Sequence, residues 1–303
     1  MAGTIPSAAS ANQPEVPAGG PLSWRGPGEG RPDLPLPPAR LPLFQGRQAR
    51  KVWRYVGFYG DEVMLCAAVV RIGIFDHTFW SVWDRTADRG ESRVFEHTRL
   101  RPGRPEVVLD GPRVQIRTDE VKADLRFGES EPIEVVSPSG RAWGWTRKRA
   151  GVPVNGTIEA AGKVFKVDGF GVDDESAGFH ARQTAWFWSA GIGIAADGRA
   201  LGWNLTEGIN DAPVRSERAV WVDGVPHEPA PVRFDGLEAV SFEGDVDGPG
   251  LRFNSGGAER RRRDNFGLIR SNYVHRFGTF TGRLDGMEIA SAAGVMEEHD
   301  AVW

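Results

Sequence analysis

One cysteine, Cys66, stands in a chain of 303 residues. No disulfide framework can form within one chain, and a lone thiol inside an apolar run fits a reducing compartment, most simply the cytoplasm. No basic segment followed by an apolar one marks a secretory signal. No run approaches the roughly 20 apolar residues of a membrane-spanning helix; the longest candidate, Val63–Ile74, contains Arg71 and Gly73. An excess of positive charge is also lacking. The net charge of −4 and pI of about 5.9 give no global basic field for nucleic acid or an anionic membrane. The histidines (His77, His97, His180, His227, His275 and His299) show no HxH, HxxxH or Cys/His spacing, so no metal site is expected. There is no GxSxG, no P-loop and no GxGxxG opening a helix, so neither a nucleotide cofactor nor serine-hydrolase chemistry is expected.

What is present is glycine, proline and tryptophan. About half of the 21 prolines fall in residues 1–48, where RPDLPLPPARLPLF can form neither a helix nor a central strand. Residues 1–48 are therefore expected to be a disordered or extended Pro-rich leader, whose Leu34–Phe44 part could strap across the folded chain. From Lys51 onward short strands alternate with turns. In Val63–Ile74 both faces are apolar, Val63, Leu65, Ala67 and Val69 against Met64, Cys66, Ala68 and Val70, which predicts a strand covered on both sides. Val121–Phe127 alternates as a half-buried antiparallel strand should. Ala196-Asp197-Gly198 predicts a hairpin between Trp186–Ile194 and Ala200–Leu205, and Asp223-Gly224, Asp235-Gly236 and Asp285-Gly286 mark further turns. Convincing amphipathic helices are missing. The fold class is all-β, an antiparallel sandwich or barrel. There is no strong internal sequence repeat. Gly151–Gly156 (GVPVNG) is the best seam, dividing a first β half, 49–150, from a second, 151–303.

The stretch richest in chemistry is Asp173–Gly191 (DDESAGFHARQTAWFWSAG), read as one loop and one strand. At period two, Arg182, Thr184, Trp186 and Trp188 share a face. That face suits the wall of a mostly apolar pocket with a few placed polar groups. Asp174 or Glu175 could act as an acid if apolar surroundings kept it protonated; three adjacent acids also suit a solvated loop. His180 could serve as a base or orient a carboxylate. Arg182 could bind a ligand carboxylate, stack on Trp186, or bridge to Glu207 or Glu217. Trp83, Trp186, Trp188 and Trp203 could line a cavity or fill a core. Asn204 and Glu207 add polar groups at a strand end. Glu297 and His299 share a face of the terminal segment, where an exposed end strand is the simpler reading. The run Arg260–Arg263 is read as a solvated loop, with a local anion or RNA contact as its alternative.

The segments KVWRYVGFYGDEV (51–63), ESAGFHARQTAWFW (175–188), GRALGWNLTEG (198–208), RFGTFTGRLDG (276–286) and GVMEEHDAVW (294–303) resemble an uncharacterised bacterial family of lipocalin-like tandem β architecture. That family is similar in plan to hydroxyneurosporene synthase, the carotenoid hydratase. The resemblance implies two lipocalin-like (calycin-type) antiparallel halves and an acidic residue before a glycine-ended loop in the tunnel between them. Asp174 or Glu175 before Gly178 is the match, with Ser176 and Ala177 where the relatives carry a histidine and an aromatic residue. The expected function is binding of a hydrophobic small molecule in a Trp-lined cavity. The alternatives are an acid-assisted hydratase, cyclase or isomerase of an isoprenoid- or polyketide-like substrate, or a carbohydrate-binding β-sandwich with exposed tryptophans.

Overall fold

Alternation and turn chemistry produce the strands. Along Val121–Phe127 burial switches residue by residue, with Val121, Ala123, Leu125 and Phe127 inside and Lys122, Asp124 and Arg126 outside. The Asp223-Gly224 and Asp285-Gly286 turns place both residues at positive φ, as two-residue hairpin connections require. The computed structural model describes residues 23–26, 30–86, 93–99, 106–160, 162–245, 250–256, 259–265 and 270–302. Its regular elements are all β-strands, so among the described residues no helix is long and apolar enough to cross a membrane.

The strands form two large antiparallel sheets. The first runs, edge to edge, Arg93–Arg99, Phe75–Asp84, Val63–Ile72, Lys51–Tyr59, Lys163–Gly178, Ala142–Ala160, Val121–Phe127, Arg113–Arg117 and Val107–Asp110. Ile133–Ser139 also pairs with the Ala142–Ala160 strand. The second runs Val225–His227, Ala219–Val222, Ala200–Glu207, Gln183–Ala195, Met287–Val302, Arg270–Leu284, Leu251–Asn254, Ala239–Phe242 and Val232–Asp235, with Glu259–Asn265 also on the Arg270–Leu284 strand. Counted along the chain, the order of pairing is the same in both. Each sheet is a meander whose first and last long strands pair, so that it curls into a near-barrel. The chain thus repeats its topology without an evident repeat in sequence.

Each sheet encloses an apolar core, Val56, Leu65, Trp80, Ile116 and Leu125 in the first and Trp203, Leu205, Val240, Phe280 and Met296 in the second. A third core lies between the halves and joins Tyr55, Met64, Cys66, Ala68 and Phe79 to Trp188, Trp221, Tyr273, Phe277 and Val295. The doubly apolar strand is thereby explained. Val63, Leu65 and Ala67 face the interior of the first sheet, while Met64, Cys66 and Ala68 face the other half.

Three expectations change. Gly151–Gly156 is no seam, because it lies inside the 19-residue strand Ala142–Ala160. Its glycines serve that strand. Gly151, at φ 65°, sits at a β-bulge where the register shifts between Ala150 and Val152, and a Cβ on Gly156 would stand 2.1 Å from the Asp124 carbonyl oxygen. The chain passes from one sheet to the other at residues 179–182. Next, Asp173–Glu175 is part of the strand Lys163–Gly178 and not a loop. Finally, residues 1–22 of the expected leader lie outside the described residues, but its described part is packed. Trp24–Gly26 adds a short strand to Ile133–Ser139, and Leu36 and Leu41 bury against a cluster that includes Trp143, Trp145 and Phe179. Apolar burial at Leu36 and Leu41 holds the Pro-rich stretch around them, whose backbone joins neither large sheet.

Candidate functional site

Strand register builds the site from two rows of side chains. Across five neighbouring strands of the first sheet, Lys148 stands beside Asp174, Asp174 beside Tyr55, Tyr55 beside Ala68 and Ala68 beside Phe79. Across the second sheet, Thr206 stands beside Trp188, Trp188 beside Glu297, Glu297 beside His275 and His275 beside Arg260. The rows face each other. The Tyr55 hydroxyl meets His275 Nε2 at 3.2 Å, and its ring meets Trp188 edge-on with centroids 5.1 Å apart. Lys148 reaches across to Glu217 at 3.5 Å, and Arg260 lies over Phe79 with its guanidinium carbon 4.3 Å from the ring centroid.

Where the rows do not touch they leave a cavity of about 520 Å³. Trp53, Tyr55, Phe79, Trp186, Trp188 and Tyr273 give it aromatic walls, and Ala68, Val70, Ile72 and Phe75 extend the apolar surface. Its charged or titratable groups include Lys148, Asp174, Glu217, Arg260, Arg262 and Glu297, together with His77 and His299. Volume and lining fall within the range that small-molecule pockets show in general.

Each sheet supplies one carboxylate at the pairing of its first and last long strands. Asp174 is buried; its Oδ2 lies 2.6 Å from Lys148 Nζ, and its Oδ1 has no hydrogen-bond partner among the described residues. Burial pushes its carboxyl up to about 6, with Lys148 opposing and Glu217 reinforcing the shift. Glu297 accepts from Trp186 Nε1 and from the Tyr273 hydroxyl, both at 2.8 Å. Burial drives it up to about 7, against those two donors and with help from the Asp174 charge. Lys148 loses stability as an ammonium through burial, but Asp174 and Glu217 more than restore it, so it stays charged. His275 and His299 are pushed down to about 3, first by burial and also by Arg260, and remain neutral. The site holds two carboxyls poised near neutral pH inside an aromatic enclosure, an arrangement suited to proton transfer. Among the described residues no group of three or more His, Cys, Asp or Glu side chains is placed to share a metal ion.

Residues 95–303, well over half of the sequence, match one family. The chain belongs to the family described as Domain of unknown function (DUF2804). The match takes in Lys148, Asp174, Glu217, Arg260, Tyr273 and Glu297 and leaves out Trp53 and Tyr55. No curated protein matches the sequence. Solved structures that superpose on this DUF2804 chain include a putative AttH from Nitrosomonas europaea, at 13% identity and TM-score 0.47 over 87% of this chain and 97% of that one. Kievitone hydratase from Nectria haematococca gives 10% identity and TM-score 0.49 over 84% and 88%. CghA with Sch210972 gives 11% and 0.40 over 93% and 98%. Likeness at this level leaves the chemistry to be read from the cavity.

In the DUF2804 chain, Asp174, Trp186 and Trp188 line that cavity. Glu175, one residue along the strand, points to the opposite face and pairs with Arg147 at 2.6 Å. His180 is buried outside the cavity, tilted against Trp53 with centroids 4.9 Å apart, and burial pushes it down to about 3. Arg182 is exposed and precedes the strand that carries the tryptophans. Trp203 points into the second sheet's own core, its Nε1 donating to Ser189 Oγ at 3.0 Å. Trp83 belongs to the core between the halves, stacked on Phe277. Asn204 acts behind the wall, accepting from Trp188 Nε1 and donating to the Glu217 carbonyl. Glu207 bonds Arg233 at 2.7 Å, away from the cavity, and so is no partner for Arg182.

Two simpler readings give way. Glu297 and His299 are not on an exposed end strand, because Met287–Val302 pairs on both sides and its period-two face lines the cavity. Arg260–Arg263 is a strand, not a solvated loop, and its alternation sends Arg260 and Arg262 to the cavity. The sequence does not mark Lys148 or Tyr273, and it offers Glu217 only as a partner for Arg182. The signal for Lys148 was its place opposite Asp174 in the long hairpin, visible only once the Gly151 bulge is known.

Proposed function

We propose that the cavity binds a hydrophobic small molecule and exchanges protons with it, in the manner of a hydratase or isomerase acting on an isoprenoid- or polyketide-like substrate. One observation carries this reading: two carboxyls with affinities near neutrality, Asp174 at about 6 and Glu297 at about 7, share one aromatic-walled cavity. Different environments separate the roles. Glu297, held by two neutral donors, keeps its proton to higher pH and is the acid. Asp174, beside Lys148, is the more ionised and is the base, with Oδ1 lacking a hydrogen-bond partner among the described residues. In a hydration, Glu297 gives its proton to one alkene carbon. A water oxygen bonds the other carbon, and Asp174 takes a proton from that water. The net change is addition of one water, after which the two carboxyls re-equilibrate with solvent. The aromatic walls stabilise the cationic intermediate through their π-faces.

A passive carrier would need the same walls and no acid. An exposed sugar-stacking surface receives no support, since Trp188 is buried and both Trp186 and Trp188 line the cavity. The test begins with mass spectrometry of the purified protein under native and then denaturing conditions, to identify a co-purifying molecule. That molecule is then incubated with the protein in D2O. Proton exchange predicts deuterium uptake by wild type and a loss of about 100-fold or more in rate for Glu297→Gln and Asp174→Asn with binding retained. Binding without uptake by wild type would make the protein a carrier. Undiminished uptake by both variants would remove the acid–base assignment.

A further inference from the structure

We infer that the corner at which the cavity opens is a docking surface for a lipid bilayer with anionic headgroups, so that the ligand enters and leaves through the bilayer. This rests on the reading of the cavity as a ligand site and adds the phase from which the ligand comes.

Exposure along the lining strands locates the opening. Tyr55, Phe79, Trp188 and Glu297 are buried. Two residues further along the same strand faces, and toward the same end, Trp53, His77, Trp186 and His299 are half-buried. Two residues beyond His77, Phe75 still lines the cavity and is 58% exposed. It follows Gly73-Ile74, the turn of the hairpin Val63–Ile72 and Phe75–Asp84.

That turn stands beside a second hairpin, Phe44–Gln45 with Gln48–Ala49. Gly73 N donates to the Arg50 carbonyl and Arg50 N to the Leu43 carbonyl, both at 2.8 Å. Phe44 pairs with Ala49, whose Cβ would lie 3.8 Å from one on Gly73. Leu43, Phe44, Ile74 and Phe75 are all exposed. Four large apolar side chains in water at one cavity mouth are an interaction surface and not the scattered exposure usual on a protein. They stand on two turns, so they project and can enter the boundary between headgroups and acyl chains.

The rim is basic. Arg47 occupies the tip of the second hairpin. Gln48 Nε2 of that hairpin donates to the Phe179 carbonyl at 3.0 Å, which places it against the crossing segment that carries Arg182. Arg270 pairs with Val302, and Val302 with Gln183, next to Arg182. Arg47, Arg182 and Arg270 are exposed, and none bridges to a carboxylate among the described residues. Of the nearby acids, Asp76 is held by Arg71 at 3.3 Å, while Glu298 and Asp300 alternate to the strand face opposite His299. Apolar tips ringed by arginines complement an anionic bilayer. Pairing this corner with a second copy would bring two sets of arginines together.

Cosedimentation of the full chain with vesicles tests the surface, and N-phenyl-1-naphthylamine in vesicle-free buffer probes the cavity independently. Wild type is expected to bind phosphatidylcholine vesicles containing about 30% phosphatidylglycerol at least about tenfold more tightly than phosphatidylcholine alone. Phe44→Ser with Ile74→Ser should weaken that binding at least about tenfold, because two apolar side chains are withdrawn. Arg47→Gln with Arg182→Gln should remove most of the preference for phosphatidylglycerol. Val164→Ser, exposed at the opposite end of the strand that ends at Gly178, should change nothing. None of these residues lines the cavity, so every variant should bind the naphthylamine as wild type does. Absence of vesicle binding by wild type, equal affinity for the two vesicles, or undiminished binding by Phe44→Ser with Ile74→Ser would overturn the inference, while naphthylamine binding upheld the ligand site. A wild-type dimer that those two serines split would assign the corner to a second copy and overturn it as well. Failure of folded wild type to bind the naphthylamine would remove the ligand-site reading and the inference with it.

Discussion

The two sheets repeat one topology and place one carboxylate each at the corresponding pairing of strands, yet they treat those carboxylates differently. Asp174 has a cation in contact, Lys148 at 2.6 Å, with Glu217 of the other half on the same ammonium. Glu297 is held by the neutral donors Tyr273 and Trp186. Burial raises both groups by a similar amount, Asp174 from 3.8 to about 6 against a contacting cation and Glu297 from 4.5 to about 7 against neutral donors. A duplicated fold supplies a symmetric frame. The side chains on neighbouring strands then break that symmetry, setting one carboxylate against a cation and the other against neutral donors.

The sharpest way to break the comparison is to remove the cation. Lys148→Met leaves Asp174 and Glu217 buried together without it and should cost about 3–5 kcal/mol of stability in denaturant unfolding. Adding Asp174→Asn should recover part of the loss, because one buried charge goes with it. If Lys148→Met proved neutral, the cation would not be what distinguishes the two carboxylates.

On the other side, Glu297→Gln tests proton affinity through stability. The folded state holds a proton on Glu297 that the unfolded chain releases near 4.5, so the group's contribution is full below that pH and is lost as pH rises through about 7. Relative to the variant, wild type should lose on the order of 2 kcal/mol between about pH 4.5 and 8. His180, His275 and His299, buried and neutral, act oppositely, losing stability as pH falls from 6.5 toward about 3. They are common to both proteins, so the difference between the two pH curves reports Glu297. Parallel curves would contradict a raised affinity.

Smaller effects sharpen the contrast. Tyr273→Phe removes a hydroxyl donor from Glu297 and should cost about 1–2 kcal/mol in thermal unfolding while raising the glutamate's proton affinity further. Glu175→Gln, next to Asp174 but on the opposite face, breaks a partly exposed pair with Arg147 and should cost under about 1 kcal/mol, with probe binding unchanged. A binding defect in that variant would mean that the two faces of the strand are not independent.

Much of the frame was legible in the sequence, because it follows from local chemistry. Asp-Gly turns, alternation at Val121–Phe127 and the doubly apolar Val63–Ile74 need only neighbours in the chain to be read. The face of Trp186 and Trp188 was legible for the same reason. The identity of the charged groups was not. Glu297 and Arg260 resemble exposed end-strand and loop residues until pairing strands bury them. Trp203 shares its composition with Trp188, yet parity sends it into the second sheet's core.

Local pattern alone established that this chain is built of antiparallel strands, where most of them turn, and that Trp186 and Trp188 share one face suited to an apolar wall. Which charges meet depends on how the strands pair. A plain hairpin about Gly162 would set Arg149 opposite Asp174; the one-residue bulge at Gly151 shifts the pairing and puts Lys148 there instead. Strand side chains alternate with period two, so a single inserted residue exchanges the faces of everything beyond it. The cavity's chemistry depends on that register, and register is a property of paired strands.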